Sequence, residues 1–374
     1  MLIDAYRIAA DTTLQGEVCI VGSGAAGLTL AHELAAQGID VVVLESGGHT
    51  FEPHTQELYR GEVHNPNHGS LESQRRRQLG GTTNIWGGRC SPFDPIDFEA
   101  RPHVPHSGWP IGRADLDPYY RRAHAYCELG PYDYDVATAL PNGPQPMIPG
   151  FDHSFDNEDH QDVRTDKLWL FSPPTNFRTR LGSALARSPN VRLVLHANCL
   201  NIALTPDGRR VDHLQVATLR KQHFRVVAEH YAVCTGALES ARLLLASNDI
   251  HTTGVGNAYD LLGRFYMGHL GCDAGELTFP RGVVWNYEKT AAGVYCRRSI
   301  AISPEKQRAR GLLNFRGILN TPAWYDPAHG SSVLSAAFLV KSALLGSPAS
   351  RISFSKEAPP AEGLNQWTGH LKNL

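Results

Sequence analysis

The first unbroken apolar run, VCIVG at residues 18–22, has the length and β-branching of a strand buried on both faces. Between Ala25 and Gln37 the apolar positions Leu28, Ala31, Leu34 and Ala35 recur at spacings of three and four, which predicts a helix stopped by Gly38. VVVLE at 41–45 reads as a second buried strand. Strand, glycine turn, helix and strand within about 30 residues form a βαβ unit with a right-handed crossover. Residues 51–74 are polar and predict a surface excursion. From 91 to 176 prolines are too frequent for long helices except at Leu116–Leu129, and FDHSFDNEDHQD at 151–162 reads as an exposed loop or lid.

After Pro189 the pattern turns to β. Segments 191–197, 199–204, 211–219 and 223–228, with the turn signal PDG at 206–208, predict a small antiparallel meander. A short strand at 231–234, a Thr-Gly turn and a helix over 237–246 make a second strand-turn-helix unit able to rejoin the first sheet. From 276 onward short runs such as LTF, GVVW and RISFS predict a further domain, largely sheet. The fold class expected is α/β, a Rossmann-like domain with a small antiparallel meander followed by a mainly antiparallel-sheet domain.

Composition narrows the function. The chain has 374 residues, enough at roughly 150 per domain for a large core. With a formal net charge of -2 it has no basic excess to neutralise phosphates, so nucleic acid is not an expected partner. Its apolar stretches fall well short of the roughly 20 residues of a membrane span. Charged residues interrupt the N-terminal segment where a secretory signal would be apolar, so a cytoplasmic location is expected. The seven cysteines are scattered, never in CxxC spacing, and read as free thiols. His153 and His160 lie among Asp152, Asp156, Glu158 and Asp159, but without the fixed spacings of metal sites this reads as a solvated acidic loop, and no metal is expected.

The chemistry concentrates in glycine-rich segments. In GSGAAG, Gly22, Gly24 and Gly27 hold the GxGxxG spacing between a strand and a helix. The first permits the tight turn, the second lets a pyrophosphate approach the backbone, and the third allows close helix packing. Glu45 ends the second strand, where an acid accepts hydrogen bonds from ribose hydroxyls. This pattern does not separate FAD from NAD. A second segment, LGGTTNIWGGR at 79–89, would suit a large cofactor whose flat ring needs its own backbone cradle, the alternative being a glycine-rich surface loop.

Together, GSGAAG, Glu45, RQLGGTTNIWGGR, GWPI at 108–111 followed by LDPYY at 116–120, and CTGALESARLLLAS at 234–247 resemble the glucose-methanol-choline oxidoreductases, in particular the bacterial branch similar to pyranose oxidase and sugar dehydrogenases. The likeness runs in order from about residue 16 to about residue 275. It implies FAD as cofactor and oxidation of a sugar or alcohol CH–OH by hydride transfer to flavin N5, with electrons passing to an acceptor. It further implies an FAD-binding domain in two parts, 1–110 and 189–275, a connecting and lid region at 111–188, and an incomplete substrate-binding domain at 276–374.

Position by position, the resemblance assigns Gly22, Gly24, Ala26 and Gly27 to the pyrophosphate and Glu45 to the adenosine ribose. Arg77, Gly81, Thr82, Thr83, Trp86 and Gly87 would lie along the flavin and phosphate side, with Arg75 and Arg76 solvated. Cys199 would offer its backbone to the adenine or else be a buried small thiol, and Thr235 and Gly236 would line the cofactor. Ile85 stands where members with covalently attached FAD have His, so non-covalent FAD is expected. His269 could orient substrate or cap its loop. The family's catalytic His and its His or Asn partner lie in a C-terminal segment that the ending QWTGHLKNL does not match, so no catalytic residue is assigned. The expectation is an N-terminal part of such an enzyme; the alternative is a catalytically incomplete flavin-binding or interaction protein, or half of a split enzyme needing a complementing chain.

Overall fold

A computed structural model describes residues 1–65, 68–141, 147, 162–269, 271–272, 275, 287–320, 331–345, 368 and 370–374. The expected lid at 151–162, but for Asp162, lies outside the described residues, as do His153, His160 and the runs LTF, GVVW and RISFS. The strands in chain order are β1 (Leu2–Asp4), β2 (Thr13–Val21), β3 (Val41–Leu44), β4 (Arg89–Cys90), β5 (Val163–Phe171), β6 (Val191–Leu195), β7 (Asn198–Leu204), β8 (Val211–Ala217), β9 (His223–Val233), β10 (Glu288–Lys289), β11 (Tyr295–Ile302) and β12 (Arg316–Gly317). The helices are α1 (Ala25–Ala35), α2 (Pro53–Gln56), α3 (Arg113–Cys127), α4 (Val136–Ala139), α5 (Ser183–Arg187), α6 (Ala237–Ala246), α7 (Pro304–Arg310) and α8 (Ser332–Leu345). Among the described residues no helix is long and apolar enough to cross a membrane.

The chain divides into two units. The first comprises Met1–Cys90, Asp117–Tyr132 and Phe171–Leu277; the second comprises Ser91–Leu116, Asp133–Leu170 and Thr278–Leu374.

The first unit is built on a seven-stranded sheet in the order β1-β6-β3-β2-β9-β8-β7. β1, β6, β3, β2 and β9 run parallel, and β8 and β7 continue as an antiparallel meander. Alternation along the central strands explains why their sequences are continuously apolar. Val18 and Ile20 of β2 and Val41 and Val43 of β3 join one core with Leu28 and Ala31 of α1 and Leu185 of α5. Cys19, Val21, Val42 and Leu44 face the opposite core, with Val216, Phe224 and Leu243 of α6. Each such side chain contributes about 1.5–3 kcal/mol on full burial.

Three elements differ from the sequence reading. β2 begins at Thr13 because its polar first half pairs with Arg225–Ala228 of β9. The meander has three strands rather than four: Val191–Leu195 lies between β1 and β3 in the parallel sheet, where both of its faces are covered. The segments at 223–228 and 231–234 are one strand, β9, which pairs antiparallel with β8 at its start and parallel with β2 along its length. The two central helices agree closely. α1 ends two residues before Gln37, where the turn into Gly38 (φ 80°) begins, and α6 spans Ala237–Ala246 as expected.

The second unit carries a separate sheet in which β10 and β12 pair antiparallel with β11, and β5 lies beside β11. Its interior is more polar. Cys296, Arg297, Arg298 and Ser299, consecutive in β11, are all buried. Arg298 donates to both carboxylate oxygens of Glu288, at 2.8 and 3.0 Å, and Arg297 donates to the Leu319 carbonyl at 2.6 Å. Asp94 accepts from Arg316 at 2.9 and 3.0 Å and from Asn314 at 3.0 Å. α7 starts at Pro304 because the Ser303 hydroxyl accepts from the Lys306 amide, and it ends at Gly311, whose φ is 61°.

Candidate cofactor-binding site

At the C-terminal ends of β2, β3 and β9, three glycine segments of the first unit meet. Gly22 follows β2 with φ 101°, and a Cβ there would stand 2.6 Å from the Cys234 carbonyl oxygen. Its amide donates to the Leu44 carbonyl at 2.7 Å, while the Cys234 amide donates to Val21 at the same distance, so one turn is tied to both neighbouring strands. A Cβ on Gly27 would lie 1.9 Å from the Gly22 oxygen, which no side chain can satisfy without moving the helix off the turn. Gly24 differs: it caps α1 without a side-chain hydrogen bond, and the space its Cβ would occupy is open. With Ala25 and Ala26 exposed beside it, the positive end of α1 is presented to a small anion.

Glu45 is buried just after β3. One carboxylate oxygen accepts from the Ser23 amide (3.1 Å) and hydroxyl (2.6 Å), and the other accepts from the Gly47 amide (2.9 Å). A carboxylate offers about four acceptor positions, so one remains for a ribose hydroxyl, and Ser23, not foreseen from sequence, fixes the acid's orientation.

The segment after Leu79 closes onto the first turn. The Gly80 amide donates to the Ser23 carbonyl at 3.0 Å. Gly81, at φ 53°, packs so closely that a Cβ would stand 2.9 Å from the Gly24 Cα. Thr83 donates to the Gly80 carbonyl at 2.6 Å and accepts from the Phe177 amide at 3.2 Å. Asn84 braces the same turn through the Leu79 and Gly81 carbonyls, at 3.0 and 2.7 Å. Thr82 is exposed, with its hydroxyl accepting from the Arg76 amide. The Trp86 indole donates to the Thr175 carbonyl at 3.0 Å, and its ring packs against the α1-side core. Ile85 and Gly87 are exposed, with open space at the Gly87 Cβ position. The third segment supplies Gly236, which caps α6 at φ 80° over open space, and Thr235, whose hydroxyl pairs with Ser240 at 3.0 Å.

Arg77 is held differently from the rest. It donates to the Ser46 hydroxyl and to Glu239, both at 2.9 Å, and lies over the Tyr59 ring at 4.2 Å. Arg75 joins the same buried carboxylate at 3.3 Å and is not the solvated residue expected; Arg242 joins it at 2.8 Å. Burial alone would raise the pKa of Glu239, but the Arg242 hydrogen bond and the charges of Arg77, Arg242 and Arg75 hold it below the ordinary carboxylate range. The signals for this cluster were the triple arginine and an acid in the first turn of α6; only the pairing between them was hidden. Cys199 packs partly buried on the other core, where burial pushes its thiol up to about 12. His269 is exposed.

The profile of the NAD(P)-binding Rossmann-like domain matches residues 20–65. The chain is 24% identical over 331 residues to the fructose dehydrogenase large subunit of Gluconobacter japonicus, covering 69% of this chain and 59% of that one. It is 27% identical over 298 residues to the paromamine 6'-oxidase of Streptomyces fradiae, covering 66% and 52%. The chain resembles the glucose-methanol-choline oxidoreductases. It spans little more than half the length of these two curated relatives. Among solved structures, pyridoxine 4-oxidase from Mesorbium loti matches over 62% of this chain and 52% of its own, at 17% identity and a TM-score of 0.37. Residues 20–65 of the first unit, from the end of β2 through α1 and β3, are thus similar to an NAD(P)-binding Rossmann-like domain.

Proposed function

We propose that the surface where the three glycine segments meet binds FAD non-covalently, and that the chain serves an oxidoreductase acting on the CH–OH group of a sugar or alcohol. The observation that carries the reading is the seating of Gly81 on Gly24, which joins the phosphate turn and a second backbone cradle into one surface. A phosphate turn alone would serve NAD equally well; a second glycine segment built against it serves a cofactor with a long ring system at its far end.

The residues fit that group. The uncapped first turn of α1 beside Gly24, Ala26 and Gly27 would hold the pyrophosphate. Glu45, oriented by Ser23 and Gly47, would accept from the adenosine ribose. The backbone at Cys199 would border the adenine. Gly81, Thr82, Thr83, Trp86, Gly87, Thr235 and Gly236 would line the ribityl and ring side. Arg77 acts there through Ser46 and Glu239, as a positioning residue between the acid's loop and α6. Ile85 offers no nucleophile for attachment. When bound, FAD would supply the acceptor for a hydride from the carbinol carbon, and with loss of the hydroxyl proton to solvent the substrate would leave as a carbonyl compound.

The test is to purify the chain, supply FAD or NAD(P) separately, remove unbound cofactor and record visible spectra. A yellow protein that releases intact FAD on denaturation, and retains no NAD(P), is expected. Protein that stays colourless with FAD overturns the cofactor, and FAD that remains attached after denaturation overturns the non-covalent mode. Anaerobic addition of sugars and simple alcohols to the yellow protein then reads the substrate class directly as bleaching.

A further inference from the structure

Glu239 stands in the first turn of α6, three residues after the Gly236 cap, with its side chain only 10% exposed. A carboxylate in that turn is favoured by the helix dipole and offers about four acceptor positions. Three guanidiniums use them: Arg75 at 3.3 Å on one oxygen, Arg77 at 2.9 Å and Arg242 at 2.8 Å on the other. Arg242 belongs to α6 itself, whereas Arg75 and Arg77 come from the segment that runs into Gly80 and Gly81.

From Arg77 the connection continues to the loop of the ribose acid. The other terminal nitrogen of Arg77 donates to the Ser46 hydroxyl at 2.9 Å. The Arg77 carbonyl packs against Gly47, where a Cβ would stand 2.0 Å from its oxygen, and the Gly47 amide is the one that donates to Glu45. On the α2 side, buried Gln56 donates to the Glu72 and Arg75 carbonyls at 2.7 and 2.8 Å and accepts from the Arg77 amide at 3.1 Å. Both guanidiniums also lie over the Tyr59 ring, at 3.9 and 4.2 Å. Glu239 therefore joins all three segments: its own helix carries Gly236, the chain from Arg77 leads to Gly80, and Ser46 follows Glu45. These residues lie outside the two apolar cores of the sheet. The cluster has no part in covering β2 and β3, and what it sets is where the three segments stand relative to one another.

We infer that Glu239 is a positioning residue for the nucleotide cofactor, holding the Glu45 loop, the Gly80–Gly81 segment and the Gly236 turn in one register through Arg75 and Arg77. The inference deepens the FAD reading and rests on it for the identity of the ligand. Without the carboxylate the gathered guanidiniums repel one another, and the segments they belong to lose their common anchor. Arginine suits position 77 because its planar fork engages Ser46 and Glu239 at once, which the single ammonium of a lysine does not reproduce.

The experiment measures amide hydrogen exchange residue by residue in the cofactor-free chain, wild type against Glu239→Gln, and then FAD binding by quenching of flavin fluorescence. In Glu239→Gln the Gly47 and Gly80 amides, which donate to Glu45 and to the Ser23 carbonyl, should exchange about tenfold faster while β2 and β3 are unchanged. FAD should bind about tenfold more weakly. Ser46→Ala should weaken FAD binding less, and its effect should disappear in the double variant with Glu239→Gln, because both act through Arg77. Exchange that quickens in β2 and β3 as much as at the two glycines would make the role structural and overturn the inference. Unchanged exchange at both glycines, or additive effects of the two substitutions on FAD, would overturn it as well. A wild type that binds no FAD removes the cofactor reading alone, since exchange still decides whether Glu239 holds the segments. Should Glu239→Gln not fold, Arg77→Lys supplies the second reading, faster exchange at Gly47 over an unchanged sheet; failure of both variants to fold overturns positioning in favour of a structural role.

Discussion

The two units bury different things. The first covers an apolar sheet on both faces and gathers its polar site groups beyond the strand ends, where Glu45, Ser23 and the glycine turns lie, with one further buried carboxylate, Glu239, on α6. The second buries consecutive arginines within a strand and neutralises one of them with a carboxylate on the adjoining strand. Apolar burial is tolerant of small volume changes, because each lost methylene removes only its own contacts. A buried charge pair is not, since removing one partner leaves the other in a medium that cannot solvate it. Changes in the apolar sheet core of the first unit should therefore have graded effects, and breaking the buried Arg298–Glu288 pair of the second an abrupt one.

The largest effect is expected from Glu288→Ala. Arg298, with its side chain 4% exposed, loses its carboxylate, and urea unfolding followed on the second unit should show a loss of about 3–5 kcal/mol. The comparison breaks if the loss is no larger than that of an apolar truncation, or if replacing both Glu288 and Arg298 with methionine is as damaging as the single change. Next comes Gly27→Ala, whose new methyl would meet the Gly22 oxygen at 1.9 Å. A loss of about 3 kcal/mol is expected, together with release of flavin from any loaded protein, whereas Gly87→Ala, into open space, should leave stability unchanged. Ile20→Val in the fully buried centre of β2 should cost only about 1 kcal/mol in the same unfolding measurement.

The smallest effect concerns pH. His196 donates towards Asp4 at 2.9 Å and Glu52 at 3.0 Å and stacks on Tyr6. Burial opposes its charge, but the hydrogen bonds to Asp4 and Glu52 hold its pKa above the ordinary value. Burial likewise works against both carboxylates, and the His196 hydrogen bond nevertheless holds them low. The histidine's contribution is complete below its unfolded value of about 6.5 and fades as pH rises through the raised folded value; the carboxylates' contribution is complete above about 4 to 4.5 and fades on acidification. The protection of the Leu2–Asp4 amides relative to the unfolded chain, with the intrinsic pH dependence of exchange divided out, should accordingly be greatest between those limits. His196→Gln should flatten that dependence, and a wild-type protection that does not vary between acid and alkaline pH would count against this clasp.

The parts of the fold legible in the sequence were those with one dominant signal. VCIVG and VVVLE have a single solution as strands covered on both faces, and the turn between β2 and α1 is fixed by where a Cβ cannot go. The position of β6 was not legible. VRLVL is equally at home at the edge of a meander or inside a parallel sheet, and the choice is made by pairing with β1 and β3, remote in sequence. The same limit applies to the site. The glycine segments announced themselves, but their assembly by Gly81 on Gly24, and the gathering of Arg75, Arg77 and Arg242 around Glu239, depend on approaches that local pattern does not encode. In the second unit, hydrophobic periodicity had little to report, because β11 buries charge.

The pairing of β2 and β3 with strands from the far side of the sequence also sets a problem of timing during synthesis. Each has one neighbour, β9 or β6, that is translated roughly 150 to 200 residues later, about 7 to 40 s at 5–20 residues per second. For that interval the nascent glycine turn stands beside unpaired strand edges. Residues 13–44, which carry both open edges, are therefore the stretch exposed to mispairing until β6 and β9 arrive.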